Sequence, residues 1–502
     1  MKILCFRIKQ KAVIALLCFT SCTLISVNKG PKVQEPINYR GIKYHPITSS
    51  IPEFKKSVSG DTLYRLNKLI QIQSNAFDSM PTLALELIEN ETKKFSKKCF
   101  LHLKKLNRNS LPSNLKDYQA AEYYQMTFSD GQINISAFTE SACLNALGTL
   151  FYLLQKFGET DLDLIEIQDW PDTPNRVLQV VLKAMDPEVV KQTIERAWMA
   201  HYNSILLHTH NSVRFNSLRN YYHDYSMPVK EYQKIVSRIR SFGMEVIPHV
   251  NFLTHQKSVF IHSDTSHGML FNPQTINPNS NKAKALIFKF IDEIDSLIQP
   301  SNFHIGFDEV VGHNTKQIEK YGPLLPAADF LQHLISLHTY LSEKDIQTWI
   351  WGDMLLKESD FPDMHIGSLH ANNEYASLID RIPKSIVICD WHYQEYRRRK
   401  LRKYDYSSLK YFTDHGFKTY GATYQDIRAI KAFSKSASQQ HSNLYQGMIA
   451  TTWHKLLNGT VDRPSSDSLQ SFDFILFESA EAFWNASKIK GPPFGDPKHK
   501  TN

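Results

Sequence analysis

The sequence of 502 residues lacks a cysteine framework. It has six cysteines, and three of them lie within the first 22 residues. The other three, Cys99, Cys143 and Cys389, are widely scattered along the chain. Neither a disulfide scaffold nor a zinc site built from closely spaced cysteines is therefore predicted.

The sequence also lacks an apolar run long enough to span a bilayer comfortably. The apolar stretch "AVIALLCF" at 12–19 follows four basic residues and no acid, which is typical of an export signal. The segment "FTSC" resembles a bacterial lipoprotein motif in which Cys22 would be lipidated, although Phe19 stands where Leu is usual. We therefore predict an exported protein, periplasmic or an outer-membrane lipoprotein held by Cys22, with the cell surface and simple secretion both open.

A strong excess of one charge is missing as well. The formal charge is +8, and it falls to +4 without the four cations of the leader. A charge of this size gives no reason to predict a nucleic-acid partner. With 42% hydrophobic and 12% aromatic residues, the chain can bury a large core in two or three domains.

Residues 60–168 are predicted to form a small α+β domain. "EYYQMTFSDGQINISAF" alternates and turns at Ser129-Asp130-Gly131, which predicts a hairpin, and "ESACLNALGTLFYLLQKF" carries apolar residues on one helical stripe. "LNKLIQIQSNAF" also has helical spacing. The other predicted segments are a leader at 1–22, a tether or irregular start at 23–59, a second domain at 169–490 and a tail at 491–502.

From Arg176 onward, short apolar runs alternate with amphipathic helical stretches. The runs are "VLQVVL" (177–182), "SILL" (204–207), "EVIPHV" (245–250), "FHIG" (303–306), "QTWIW" (347–351), "IVIC" (386–389), "KTYGA" (418–422) and "GMIATTW" (447–453). Eight strands alternating with helices predict an α/β fold, a (β/α)8 TIM barrel. An open doubly wound sheet is the alternative, but no glycine-rich dinucleotide fingerprint follows the first strand.

Two adjacent carboxylates, Asp308 and Glu309, follow the fourth run in "NFHIGFDEVVGH". Adjacent anions repel each other, so such a pair needs a reason. Successive residues of a strand face opposite sides, so both carboxylates can face one ligand only where the strand ends and a loop begins. Because barrel active sites lie at the C-terminal strand ends, we predict a catalytic pair rather than an acidic helix cap. Five other runs end in similar groups: His208-Thr209-His210, His249-Val250-Asn251, Trp351-Gly352-Asp353, Asp390-Trp391-His392-Tyr393 and Trp453-His454.

Several aromatic side chains lie at the same predicted end of the barrel as the acids: Trp351, Trp391, Tyr393 and Trp453. Sugar rings offer apolar faces to aromatic walls and hydroxyl edges to carboxylates. Carboxylates and aromatics without a metal motif therefore predict glycoside hydrolysis, with no metal and no cofactor.

On these residues the chain resembles glycoside hydrolase family 20, the β-N-acetylhexosaminidases. Within that family, "WIWGDM" and "ICDWHYQEY" look most like the hexosaminidase D-like branch. The family signature His-x-Gly-Gly-Asp-Glu is matched by residues 304–309, with Phe307 in place of the second Gly. "IQDWPDTPNR" resembles the junction that precedes the family's barrel, and "HYNSILLHTHN" and "GMEVIPHVNFLTH" resemble its second and third strands. The resemblance covers most of the chain and implies a small domain followed by a (β/α)8 barrel.

The resemblance also implies a reaction and a partner, a glycan or glycoconjugate with a terminal β-linked GlcNAc or GalNAc. In this family the substrate's own 2-acetamido group attacks the anomeric carbon, and the configuration is retained. Glu309 would be the general acid and base, and Asp308 would orient the acetamido group. The substrate-binding residues implied here are Arg176, His208, His255, His304, Trp351, Asp353, Trp391, Tyr393 and Trp453.

Some positions depart from the family pattern. The acid of strand one is replaced around Val181, and the Asp of strand two appears as Asn211. On strand three, the Glu and Asp become His249 and Asn251. We expect activity because the catalytic pair survives, and we leave the substrate preference open.

Two other hypotheses stay open. The first is a metal-dependent barrel hydrolase, because His208-Thr209-His210 and His249 offer imidazoles at neighbouring strand ends. In those enzymes, however, the His pair closes the first strand rather than the second. The other is a non-catalytic glycan-binding lipoprotein, which the missing acids suggest.

Overall fold

A computed structural model describes residues 50–77, 80–157, 161–182, 187–256, 268–362, 364, 369–398, 403–453 and 472–491. The predicted leader with Cys22, most of the predicted tether and nearly all of the predicted tail lie outside these ranges. Within them, no helix combines the length and the apolar character needed to cross a bilayer.

The first part of the fold is a mixed sheet of six strands. The strands are β1 (Lys56–Arg65), β2 (Leu69–Asn75), β3 (Lys98–Lys105), β4 (Tyr124–Ser129), β5 (Gln132–Ala137) and β6 (Asp161–Asp169). They pair in the order β1-β6-β4-β5-β3-β2. The predicted hairpin is present, with β4 and β5 antiparallel and Gly131 at φ 74° in the turn, a conformation that glycine adopts at little cost.

Three helices accompany this sheet: α1 (Leu83–Thr92), α2 (Asp117–Ala121) and α3 (Glu140–Phe157). Helix α3, predicted from its apolar stripe, also packs against α4 (Pro187–Met199) of the barrel. A Cβ on Gly148 would lie 3.1 Å from the carbonyl oxygen of Trp198, so glycine allows the close approach. The indole of Trp198 donates to the carbonyl of Leu144 at 2.9 Å. The sheet layer is thus fastened to the barrel through α3.

The helical prediction for "LNKLIQIQSNAF" at 66–77 is wrong, because Leu69–Asn75 is strand β2. This strand lies at the edge of the sheet, pairs in parallel with β3 and buries Ile70. An apolar run of this length fits the helical or the strand period equally well, and the tertiary pairing decides between them.

The second part of the fold is a closed barrel of eight parallel strands, as predicted. The strands are β7 (Asn175–Val181), β8 (Ser204–His208), β9 (Glu245–His249), β12 (Asn302–His304), β13 (Gln347–Trp351), β14 (Val387–Trp391), β17 (Thr419–Thr423) and β18 (Tyr445–Ala450). Every one of them overlaps a predicted run. Two short hairpins lie outside the barrel: β10 (Leu270–Asn272) with β11 (Thr275–Ile276), and β15 (Arg397–Arg398) with β16 (Lys403–Tyr404).

Helices follow the barrel strands. After α4 they are α5 (Val229–Arg240), α6 (Asn281–Ile298), α7 (Thr315–Tyr321), α8 (Ala327–Ser342), α9 (Asn373–Ala376), α10 (Ser407–Asp414), α11 (Ile427–Ser438) and α12 (Phe472–Trp484). Residues Gly41–Asn502 cluster as one compact unit. The predicted boundary between 168 and 169 stays a prediction, and it falls at the end of β6.

Alternation along each barrel strand divides the side chains between two cores. Inward residues such as Val177, Leu206 and Ile247 form an apolar cluster inside the barrel, and outward residues pack against the helices. Because all eight strands run in the same direction, the residues that follow them meet at one end of the barrel.

Candidate active site

A cavity of about 400 Å³ lies at the end of the barrel where the strands terminate. It is lined by Val181, His208, Thr209, Asn211, Ser212, Asn251, His255, Asp308, Glu309, Trp391, Tyr393 and Trp453. The structure therefore brings both predicted catalytic acids together with five of the predicted binding residues: His208, His255, Trp391, Tyr393 and Trp453.

The chain turns sharply between β12 and the acids. Gly306, Phe307 and Glu309 have φ angles of 80°, 75° and 48°. A Cβ at Gly306 would lie 2.3 Å from Asn251 Oδ1, so only glycine fits there. These turns bring both carboxylates to the cavity, where the side chain of Asp308 is 10% exposed and that of Glu309 is 42% exposed.

Phe307 takes the position of the family's second glycine, and its ring turns away from the cavity. It is buried against Phe330 and His333 of α8, with ring centroids 5.2 and 5.6 Å away. A left-handed backbone at a residue other than glycine costs about 1–2 kcal/mol, which burial of the ring offsets. The bulky side chain therefore takes no space from a ligand.

His255 contacts both acids. Its Nε2 lies 3.2 Å from Asp308 Oδ2 and 3.8 Å from Glu309 Oε2. Burial alone would lower the pKa of His255, but the charge and hydrogen bond of Asp308 outweigh it and raise the pKa to about 9. Burial would likewise raise the pKa of Asp308, but the imidazolium of His255 outweighs it and lowers that pKa. Thr254 Oγ1 adds a hydrogen bond to Asp308 Oδ1 at 3.3 Å.

Glu309 is shifted in the opposite direction. Burial is the main reason that its pKa is raised, the charges of Asp308 and Asp353 add to the rise, and His255 and His370 oppose it. Two neighbouring carboxyl groups thus have their pKa values moved apart. This arrangement places a stable anion beside a group that keeps its proton to higher pH.

The same three side chains bear on metal binding. Within the described part of the chain, His255, Asp308 and Glu309 form the group whose possible ligand atoms all lie within 4.8 Å of one another. The raised pKa of His255 means that a metal would have to displace the proton of this imidazole at neutral pH. The metal hypothesis rested on His208 and His249, which stack at 4.4 Å between ring centroids and are not in this group.

Asp353 lies behind the cavity, and its carboxylate accepts hydrogen bonds from three groups of the site. Its Oδ2 accepts hydrogen bonds from the backbone N–H of Glu309 at 2.9 Å and from His370 Nδ1 at 2.8 Å. Its Oδ1 accepts from Trp391 Nε1 at 3.2 Å. Asp353 is 1% exposed and does not line the cavity, so the structure corrects the predicted substrate contact to a supporting one.

The aromatic side of the cavity consists of Trp391, Tyr393 and Trp453. The Trp391 and Tyr393 rings lie 4.9 Å apart, and Trp453 Nε1 donates to the Tyr393 hydroxyl at 2.7 Å. Because the Tyr393 oxygen accepts this bond, its own O–H can point to a ligand. Asp390 alternates with these residues and faces outward, where its Oδ2 accepts from Ser408 at 2.7 Å.

Imidazoles form the floor beneath the cavity. The rings of His208, His249 and His304 lie side by side, with successive centroids 4.4 Å apart, and Trp351 lies 4.4 Å from His304. The pKa of His304 is lowered by burial, and its Nδ1 accepts from Gly306 N–H at 3.1 Å, so the ring is neutral. His304 and Trp351 are buried and do not line the cavity, which corrects their predicted contact with substrate.

Arg176 lies outside the cavity. It is near the start of β7, on the outer face of the barrel, and only 1% exposed. Its guanidinium pairs with Glu122 and donates to the carbonyl of His201 at 2.8 Å and to that of Thr173 at 2.9 Å. The structure therefore corrects the predicted sugar contact, and Arg176 instead joins the barrel to the preceding sheet domain.

His370 was missed by sequence reasoning. It lies in the loop after β13, where "HANNEY" carries no motif, and only its contact with Asp353 reveals it. Three of the positions that depart from the family pattern, Val181, Asn211 and Asn251, line the cavity. Among the described residues of the lining, Asp308 and Glu309 are thus the only acids.

Solved structures with the same fold were found by structural comparison. The chitobiase of Flavobacterium johnsoniae has a TM-score of 0.62 and 16% identity, covering 88% of this chain and 70% of its own. The β-N-acetylhexosaminidase of Bacteroides fragilis has a TM-score of 0.60 and 16% identity, covering 86% and 90%. The family 20 enzyme of Streptomyces coelicolor has a TM-score of 0.60 and 13% identity, covering 89% and 94%. No curated protein sequence matched significantly.

The closed barrel, with adjacent acids and aromatic rings at its C-terminal end, defines a TIM-barrel enzyme of the glycoside hydrolase class. The sequence model of the glycosyl hydrolase family 20 catalytic domain matches residues 221–463, which include both acids. Residues 221–463 of this chain are thus identified as a glycosyl hydrolase family 20 catalytic domain.

Proposed function

We propose that this protein is an exo-acting β-N-acetylhexosaminidase that removes terminal β-linked GlcNAc or GalNAc with retention of configuration. The observation that carries the proposal is the pair of adjacent carboxyl groups with opposite pKa shifts in one cavity. A cavity of about 400 Å³ is at the small end of ligand pockets, which suits one terminal sugar. The names of the similar solved enzymes point to the same substrate class.

In the proposed mechanism, the substrate supplies the nucleophile. The carbonyl oxygen of the 2-acetamido group attacks the anomeric carbon while Glu309 gives its proton to the leaving glycosidic oxygen. Asp308 stays ionised, because His255 holds its pKa down, and stabilises the positive charge that develops on the oxazolinium ring. Glu309, now a carboxylate, then takes a proton from the water that opens this ring.

Tyr393 completes the arrangement around the acetamido group. Its O–H is proposed to donate to the acetamido carbonyl and align it for attack, since the indole of Trp453 already fixes the hydroxyl oxygen. Trp391 and Trp453 would pack on the apolar faces of the sugar. His208, Asn211 and Asn251 lie on another part of the lining, where they can reach sugar hydroxyls.

The test is hydrolysis of 4-nitrophenyl β-glycosides of GlcNAc, GalNAc and glucose by the wild type, Asp308→Asn and Glu309→Gln. The wild type should cleave one or both acetamido sugars and leave the glucoside intact. Asp308→Asn should lose roughly 10²-fold or more in kcat, as expected when a transition-state electrostatic partner is removed. Glu309→Gln should lose less on a substrate whose leaving group needs no protonation.

Glu319→Gln is the matched control, because it makes the same chemical change on an exposed residue of α7. It should retain wild-type kcat and KM. Glycan binding without turnover by the wild type would favour the non-catalytic hypothesis, and loss of activity in EDTA would favour the metal hypothesis. Equal cleavage of the glucoside would contradict substrate assistance.

We also propose that the protein is exported and carries lipid on Cys22. The basic leader with its short apolar run supports this proposal. Mass spectrometry of the mature N-terminus tests it: a diacylglyceryl group on Cys22, absent from Cys22→Ser, is expected. A mature chain that starts elsewhere without lipid would point to simple secretion.

A further inference from the structure

The carboxylate of Asp353 connects parts of the site that are distant in sequence. It receives the backbone N–H of Glu309, the indole N–H of Trp391 and the imidazole of His370, at 2.9, 3.2 and 2.8 Å. One of these donors belongs to the proposed acid, and another belongs to the aromatic wall. A shift of Asp353 would therefore move both sides of the cavity at once.

His370 is tied to Asp353 at two points. Its backbone N–H donates to the Asp353 carbonyl at 3.0 Å, and its Nδ1 donates to the Asp353 carboxylate. The next residue, Ala371, donates to the carbonyl of Leu356 at 2.9 Å, which anchors the loop to the turn that contains Asp353. The side chain of His370 is 26% exposed, whereas that of Asp353 is fully buried.

The backbone of Glu309 needs such support. Its φ of 48° is a left-handed conformation, which costs free energy for a residue other than glycine. The hydrogen bond from its N–H to Asp353 opposes relaxation of this turn. Without a positive partner, a buried Asp353 carboxylate would itself be unfavourable, and His370 is the ionisable partner bonded to it.

We propose that His370 is a positioning residue that, acting through Asp353, holds the acid Glu309 and the wall residue Trp391 in their working arrangement. The expected changes in kcat rest on the proposed function, whereas the expected changes in the hydrogen bonds of Asp353 do not. His370 does not touch the reacting atoms and does not itself line the cavity. Its ring lies 5.9 Å from that of the wall residue Trp391, and its hydrogen bond to Asp353 connects it to the backbone of Glu309.

The pH at which Glu309 loses its proton can be measured, and it would not change if His370 had only a packing role. The charged groups that act on Glu309 are His255, Asp308, Asp353 and His370, and the neutral Tyr393 is a further titratable group near it. Of these, His255 and His370 are cations that lower the pKa of Glu309. Removal of His370 therefore raises that pKa, and the alkaline limb of kcat, where the acid loses its proton, moves to higher pH.

The experiment compares the full-length wild type with His370→Ala and His370→Asn. The alanine variant loses the donor to Asp353 and should lose about 10-fold or more in kcat, because Glu309 and Trp391 are then held less firmly in the reacting geometry. The asparagine amide can occupy the Nδ1 position and should recover most of kcat. Both variants lack the cation, so in both the alkaline limb of kcat should lie at higher pH than in the wild type.

His441→Ala is the control, since this exposed imidazole lies in the loop between α11 and β18 and does not line the cavity. It should leave kcat at the wild-type level. Wild-type kcat and an unmoved alkaline limb in His370→Ala would overturn the proposal. Equal losses in His370→Ala and His370→Asn with no change of the limb would show a merely structural role.

A second readout is independent of turnover. The rate at which the indole N–H of Trp391 exchanges with solvent, read from its ¹H–¹⁵N signal assigned through Trp391→Phe, reports the bond to Asp353. It should rise in His370→Ala and stay at the wild-type value in His441→Ala. If the wild type cleaves no N-acetylhexosaminide, the proposed function fails while this exchange rate still decides the positioning role. An unchanged rate in His370→Ala would overturn that role.

Discussion

The imidazole of His255 lies 3.2 Å from the carboxylate of Asp308. Asp308 raises the pKa of His255, and His255 lowers the pKa of Asp308, so each group stabilises the charged form of the other. The pair lies in the cavity beside Glu309, whose pKa moves the other way. His255 thus lowers the pKa of Asp308, whereas burial, the main cause, raises that of its chain neighbour Glu309.

This ion pair predicts how the stability of the wild type depends on pH. The pKa of His255 is raised from 6.5 to about 9, so its contribution is fully present below pH 6.5 and is lost as the pH rises through about 9. The pKa of Asp308 is lowered from 3.8, so its contribution is present above that value and is lost as the pH falls further.

The measurement is the Tm of the wild type and of His255→Gln from pH 3 to 10. The difference between them should be greatest between about pH 4 and 6.5 and should shrink toward pH 9. It should be modest, since the imidazole is 38% exposed and solvent screens the pair. A difference that grows above pH 7 would contradict the assigned direction.

Replacing Phe307 separates backbone strain from burial. Phe307→Ala keeps the left-handed strain and loses the buried ring, a loss of roughly 3–5 kcal/mol in the free energy of unfolding. Phe307→Gly loses the same ring but relieves the strain at φ 75°, so it should be more stable than the alanine variant by about 1 kcal/mol. Urea unfolding of both variants measures this, and an alanine variant at least as stable as the glycine variant would show that Phe307 is unstrained.

Replacing Glu122 tests the corrected position of Arg176. Glu122→Ala leaves a buried guanidinium without its partner and should lower the free energy of unfolding by roughly 3–5 kcal/mol. At a temperature where the variant is folded, KM should equal that of the wild type, because the pair is outside the cavity. An increase in KM at unchanged stability would instead support a sugar contact for Arg176.

Tyr393→Phe removes the hydroxyl proposed to align the acetamido group. We expect kcat to fall about 10-fold or more, with a smaller change in KM, because alignment matters most in the transition state. Tyr411 is a half-buried tyrosine on α10, and Tyr411→Phe is the matched control, which should keep the kcat and KM of the wild type. Wild-type kcat in Tyr393→Phe would leave the hydroxyl without a catalytic role.

Much of the architecture was predictable because its signals are local. Each barrel strand is a short apolar run bounded by helical stretches, and the Ser129-Asp130-Gly131 turn and the stripe of α3 read directly from neighbouring residues. The strand β2 was not predictable, because its apolar run is short and its pairing partner β3 lies about 30 residues further on.

The site was predictable only in part. Asp308, Glu309, Trp391 and Tyr393 were found because the end of a barrel strand is a position that the sequence defines. The depth of each side chain was not defined: Trp351 and His304 lie one layer below the cavity, and Asp353 lies behind it. His370 had no signal at all, since its role exists only through contact with Asp353.

The sequence by itself determined the order of strands and helices and the place where two acids end a strand, because periodicity and motifs act between near neighbours. Only the tertiary structure decided which of the rim residues face the cavity, where Arg176 is buried and which histidine meets which acid. These outcomes depend on closure of the barrel, which sets the inward face of every strand and brings together residues that are far apart in the chain.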